Sequence, residues 1–236
     1  MNRIFAICIA VSMSFAVYAQ NDVPAAVSDA SGNGGALPVE ANKSGFRNLI
    51  LSMPNDVEPL LQTNDFADGI DYLEAGMTAD ITNTLRGKAN FDFYSSNMIR
   101  LKPSPVSELA IRLLLTEGGD TLLCVVRSVV SSKIKDSSVG FYDSRWKKLD
   151  ASKYVDIPKA EDFFSASLSG DDKAALVRKV DIPLVYARML TEADEIDFSL
   201  SSLDYMLKDD ADKVKPFVVE KLKYAWNGKR FALSEK

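Results

Sequence analysis

Histidine is absent from all 236 residues, and with it go the general base of most hydrolases and the commonest nitrogen ligand of catalytic zinc. Ser-His-Asp, Cys-His and His-metal sites are thereby excluded. Cysteine occurs only twice, as Cys8 and Cys124. Cys8 sits in an N-terminal apolar run, so Cys124 is expected to stand alone in the processed chain, without an intramolecular disulfide. Export without disulfides fits a bacterial envelope better than eukaryotic secretion. Positive charge is also scarce: 28 Lys+Arg oppose 33 Asp+Glu, a formal net charge of −5, and there is no basic block. Binding to nucleic acid by phosphate neutralisation is not expected, nor is adsorption to anionic lipid.

What is present begins at the N-terminus. MNRIFAICIAVSMSFAVYA combines the positive Arg3, an apolar run from Ile4 to Val17 and the small-residue pattern Val17-Tyr18-Ala19, the make-up of a secretory signal. Residues 1–19 are read as a signal peptide cleaved after Ala19, giving an exported protein of the periplasm or cell surface. The run is short of the roughly 20 residues of a membrane span, and no transmembrane segment is expected in the mature chain. No cysteine stands at the cleavage point, so a lipid anchor is not expected. Residues 20–45, dense in Gly, Ala, Ser, Asn and Pro, cannot bury enough surface to offset the entropy of ordering and read as a flexible leader. Asn42-Lys43-Ser44 fits the N-glycosylation pattern but is read as an ordinary loop tripeptide.

Residues 46–236 read as one α+β domain, with residue 165 the best place to subdivide it. Phe46, Leu49, Ile50 and Met53 recur at helical spacing before Pro54, and a second helix, capped by Thr63 or Asn64 and closed by Gly76, carries Phe66, Ile70 and Leu73. From Met77 the period becomes two: Met77, Ala79, Ile81 and Leu85 alternate with polar residues. Strands follow at residues 91–94 and 98–101. The clearest hairpin joins residues 108–115 to 121–130, and another strand spans 138–142. Such short connections predict an antiparallel meander. Residues 174–189 read as sheet material, residues 202–208 as a helical turn, and Asp209 or Asp210 as the cap of a helix toward Pro216. The last hairpin places Leu222, Tyr224 and Trp226 on one face, with Asn227-Gly228 as a two-residue type I′ turn before Phe231 and Leu233.

The candidate sites each have a plainer reading. Ser132 with Lys135, and Ser144 with Lys147, satisfy S-x-x-K, the spacing of a lysine-activated serine, but both lie in strand and turn sequence without K-T-G or S-D-N elsewhere. The clusters Glu192, Asp194, Glu195, Asp197 and Asp209, Asp210, Asp212 offer oxygen ligands but match no calcium loop, and read as a solvated turn and a helix start. Tyr142, Trp146, Tyr224 and Trp226 at strand spacing read as packing residues rather than a sugar platform. Cys124 among Leu122, Leu123, Val125 and Val126 reads as a buried thiol. No catalytic, cofactor-binding or metal-binding residue is assigned from the sequence, and no cofactor is expected.

The blocks DYLEAGM, ADITNTLRGKANF, SELAIRLLL, LCVVRSVV, DSSVGFYDSRWKKLD, IPKAEDFF and LKYAWNGKRF, in that order over residues 49–231, resemble an exported family of unknown function from Bacteroidales. The glycine-rich leader departs from that family's pattern. The resemblance implies an envelope protein of a Gram-negative anaerobe and brings no catalytic residues with it. The expected fold is α+β, with N-terminal helices packed on one face of a mainly antiparallel β-sheet and one continuous core. The expected function is non-catalytic binding or structural support, its partner an envelope protein or glycan. The alternative is a carboxylate-based hydrolase acting on an envelope or environmental glycan, which would show paired carboxylates at the floor of a cleft.

Overall fold

Phe46 and Ile50, spaced by four, are 0% and 1% exposed, which fixes the register of the first helix, α1 (Val39–Leu51). The computed structural model describes residues 39–235, so the signal sequence and residues 20–38 of the leader lie outside the described residues. Residues 39–45, expected in the leader, are helical instead, and Asn42-Lys43-Ser44 is helix rather than loop. Once the turn at Phe46 is anchored, extending it costs far less than starting a helix. In α2 (Thr63–Glu74) the N-cap is Gln62 rather than Thr63 or Asn64, and its backbone N–H donates to Asp65 Oδ2 at 2.7 Å. Gly76, at φ 69°, closes α2, with Met77 N–H on Tyr72 O at 2.8 Å and Gly76 N–H on Leu73 O at 3.1 Å, the paired bonds of a left-handed stop.

The period-two region forms a seven-stranded antiparallel meander whose spatial order equals its chain order: β1 (Ala79–Thr82), β2 (Lys88–Tyr94), β3 (Met98–Ser104), β4 (Ser107–Leu115), β5 (Thr121–Val130), β6 (Lys135–Tyr142) and β7 (Lys148–Leu149). β1 is shorter than its alternation suggested, because Met77 and Leu85 are exposed. Asn83 ends it, accepting Gly87 N–H at 2.8 Å and donating to Pro103 O at 2.9 Å.

The second half departs further from the sequence pattern. Residues 174–177, expected as sheet, belong to α3 (Gly170–Val177); only β8 (Val185–Met189) is strand in that stretch. Ser169 Oγ accepts Asp172 N–H at 3.2 Å and two aspartates fill the first turn, a helix-start signal stronger than the apolar residues that follow it. β9 (Glu195–Leu200) pairs with β8 and with β10 (Leu222–Trp226), which pairs in turn with β11 (Phe231–Glu235), giving a four-stranded antiparallel sheet. Between them α4 (Lys208–Val214) takes Leu207 as its N-cap, so Asp209 and Asp210 lie in its first turn. The final hairpin corrects the type I′ expectation. Trp226 pairs with Phe231 across a four-residue loop, Gly228 alone of that loop takes positive φ, at 88°, and Asn227 Oδ1 accepts Arg230 N–H at 2.9 Å.

The core is double rather than continuous, because alternate side chains of the long sheet bury on opposite faces. On one face Leu109, Ile111, Leu123 and Val125 pack with Phe46, Ile50, Phe66, Ile70, Phe91 and Trp146. Phe66 meets Phe91 edge-on at 5.6 Å, and Trp146 Nε1 donates to Leu49 O at 2.9 Å. On the other face Ala110, Leu114, Cys124 and Phe141 pack with Phe163, Phe164, Phe198 and Phe231. The expected boundary near residue 165 is stitched at both ends: Val219 N–H donates to Phe163 O at 2.8 Å and Ser165 N–H to Phe217 O at 2.9 Å. All described residues fall within one compact unit. Among them, no helix is long and apolar enough to cross a membrane.

Candidate functional site: a cationic cleft between the sheets

The small sheet docks on the long one through side chains of β6. The β8 amides of Val185 and Ala187 donate to Asp136 Oδ1 at 3.2 Å and Ser137 Oγ at 2.9 Å. Beyond that contact, the alternation that places Met98, Ala110 and Leu114 in the core places Arg100, Lys102 and Glu108 on the same face of β3 and β4. Apolar packing gives way there to a cleft of about 350 Å³. Four cations line it, Arg100, Lys102, Lys135 and Arg188, with two carboxylates, Asp92 and Glu108.

The polar groups hold one another in place. Tyr186 Oη donates to Glu108 Oε2 at 2.8 Å, and Lys135 Nζ lies 5.7 Å from the Tyr186 ring centre. Burial, and then the Glu108 bond, push the Tyr186 phenol well above the ordinary tyrosine range, so it stays a donor. Arg100 Nε bonds Asp92 Oδ1 at 2.9 Å. The side chains of Lys102, Lys135 and Arg188 make no hydrogen bond or ion pair to another described residue. The wall is pinned by Arg112, 2% exposed on β4. It reaches Asp194 Oδ1 at 2.6 Å, Thr191 O at 3.2 Å and Leu190 O, tying down the loop that joins β8 to β9.

A second groove, of about 340 Å³, adjoins the cleft through the shared residues Glu108 and Ser128, and is also lined by Glu58, Arg127 and Asp136. Glu58 is 6% exposed. Desolvation raises its carboxyl above the ordinary range, although Leu60 N–H and the charge of Arg127 oppose the shift.

The family model described as "Protein of unknown function (DUF3256)" matches residues 39–231. The chain belongs to the DUF3256 family. It is also similar to a solved structure, a domain of an uncharacterized protein from Porphyromonas gingivalis W83, with 23% identity and a TM-score of 0.70, over 81% of this chain and 98% of that one. At that identity the likeness speaks for the fold alone. No curated protein matches the chain.

In this DUF3256 member the residues singled out from the sequence are dispersed. Ser132 and Ser144 lie in exposed turns. Asp194 serves Arg112, Asp197 pairs with Lys221 at 3.0 Å and Asp210 with Lys179 at 2.7 Å. Among the described residues no group of three or more acids or cysteines is placed to hold a metal. Trp146 is buried, and Tyr142, Tyr224 and Trp226 are half-buried against the two cores. Cys124 is fully buried, and desolvation pushes its thiol far above the range where a thiolate forms. The cleft residues went unnoticed because Glu108 and Tyr186 stand 78 positions apart. The one available signal was Arg112, a charge inside the apolar strand SELAIRLLL.

Proposed function

We propose that this DUF3256 protein is an exported envelope protein of a Bacteroidales bacterium and that its inter-sheet cleft binds an anionic ligand, a binding role rather than catalysis. The observation that carries the reading is the gathering of four cations, three of them with no side-chain hydrogen bond or ion pair to another described residue, around one cleft of a chain whose net charge is −5. Low-dielectric walls focus such a field. Export rests on residues 1–19 and the organism on the family and the Porphyromonas gingivalis likeness. In this reading residues 46–236 act as one domain, and the N-terminal helices brace the face of the long sheet opposite the cleft.

The hydrolase reading is favoured by Glu58 alone, whose raised carboxyl opens on the groove that Glu108 and Asp136 also line. Those two carboxylates already accept from Tyr186 Oη and Val185 N–H, tasks that hold structure. The test of the binding reading is calorimetric titration with citrate, tetraglutamate, inositol hexakisphosphate and tetragalacturonate. At least one should bind, and Arg188→Gln should weaken it several-fold. Failure of all four, or indifference to Arg188→Gln, overturns the reading. Export is tested by mass spectrometry of envelope fractions: a mature chain starting at Gln20 supports it, and intact Met1 in soluble cytoplasm refutes it.

A further inference from the structure

Resting on the anionic-ligand reading, we infer that the cleft takes a carboxylated glycan, an acidic oligosaccharide whose carboxylate meets the arginines while its hydroxyls meet Glu108 and Asp92. Three features separate this ligand from other anions. First, a site for bare phosphate or a string of carboxylates gains nothing from acids of its own, because like charges repel. Here Asp92 and Glu108 share the cleft with the cations. Glu108 commits only Oε2, to Tyr186; its Oε1 makes no bond to another described residue and is not among the buried unpartnered atoms. That oxygen accepts from a hydroxyl, which an acidic sugar has and tetraglutamate or inositol hexakisphosphate lacks.

Second, the arginines keep donors in reserve. Arg100 uses Nε on Asp92, leaving its terminal nitrogens, and Arg188 is exposed and unpaired among the described residues. Planar guanidinium forks match a carboxylate in two parallel bonds. The Tyr186 ring, held by Glu108 and Lys135, supplies the apolar surface on which a sugar ring's C–H groups rest.

Third, the edge strand is closed to a peptide. An acidic peptide in the cleft would gain most by pairing its backbone with β8, the edge of the small sheet that lines the cleft. The outward amides of Val185 and Ala187 are already spent on Asp136 and Ser137. The adjoining groove past Glu108 and Ser128 offers space for further sugar units along a chain.

The test compares tetragalacturonate, its methyl ester, tetraglutamate and inositol hexakisphosphate by titration calorimetry against the full mature chain and its Glu108→Gln variant. Tetragalacturonate should bind on the order of tenfold tighter than each of the others, a difference of about 1.4 kcal/mol. The sign of the Glu108→Gln effect is decisive. Glutamine can still accept from Tyr186 but has lost its charge, so binding weakens if Glu108 accepts a sugar hydroxyl and strengthens if Glu108 merely repels an anion. Tighter binding by Glu108→Gln overturns the inference, as does tetraglutamate or the inositol phosphate matching tetragalacturonate; the anionic-ligand reading survives both. Binding by none of these four, with citrate also failing to bind, removes both. Circular dichroism of the variant confirms that the fold is kept.

Discussion

At the scale of single residues, burial and its neighbours decide two outcomes that side-chain chemistry alone would misjudge. Glu58 has a positive charge nearby, yet desolvation outweighs Arg127 and its carboxyl is raised. The folded state therefore holds the proton more tightly than the unfolded chain, so the stability this group contributes is complete below the unfolded carboxyl value and is lost as pH climbs through the folded one. Glu58→Gln should accordingly raise the melting temperature at pH 7, with the gain shrinking as pH falls toward about 4. A lower melting temperature at pH 7 would mean that attraction to Arg127 prevails. Gly69 poses a similar contest. Glycine in a helix ordinarily costs about 0.5–1 kcal/mol relative to alanine, but here a β-carbon would stand 2.7 Å from the Phe91 ring, inside any real contact. Overpacking of this kind costs about 1–3 kcal/mol. Gly69→Ala should lower the urea midpoint with an unchanged slope, and a raised midpoint would show that Phe91 moves aside freely.

At the scale of elements, sequence reading succeeded where one local pattern determines the outcome. The β4–β5 hairpin came within one residue of its bounds, because an apolar run flanked by Glu117-Gly118-Gly119-Asp120 has one stable solution. It failed where a distant partner decides: the turn after Trp226 follows from the pairing of Trp226 with Phe231 and is held from outside the hairpin by Glu117 N–H on Gly228 O at 2.9 Å, neither visible in Asn227-Gly228 itself. The doubling of the core escaped notice for the same reason, since nothing in residues 185–235 names the face they cover. The cleft was illegible because six strands each contribute one or two unremarkable polar residues. Arg112 was the exception, and its clamp yields an ordered pair of outcomes. Its side chain is 3% exposed and that of Asp194 43%. Asp194→Ala strands a buried cation, whereas Arg112→Met removes the charge with its partner left in contact with water. Backbone oxygens still hold Arg112, so Asp194→Ala should cost about 1–3 kcal/mol, below the 3–5 typical of a broken buried pair. Arg112→Met should cost less in the same urea titration. The reverse order would show that anchoring the β8–β9 loop matters more than neutralising the charge.

At the scale of the whole molecule, the question is whether two cores make two folding units. The chain holds two tryptophans, and the fold puts one beside each core. Trp146 is buried with the helices, its Nε1 on Leu49 O. Trp226 packs against the other core, 5.3 Å from the Phe231 ring, with its Nε1 donating to Leu115 O at 2.8 Å. β4 and β5 lie between them and serve both: Leu109 and Ile111 face the helices, Ala110 and Leu114 the small sheet. Neither core can lose its floor without the other losing the back of the same strands, so the described domain should unfold in one cooperative step. The variants Trp146→Phe and Trp226→Phe each leave a single reporter. In each, the urea transition followed by tryptophan fluorescence should coincide with that followed by far-ultraviolet circular dichroism, in midpoint and slope. A Trp226 signal that moves well before the dichroism would mean that the small sheet opens on its own, that β4 and β5 survive as a one-sided layer over the helices, and that the chain divides near residue 165 after all.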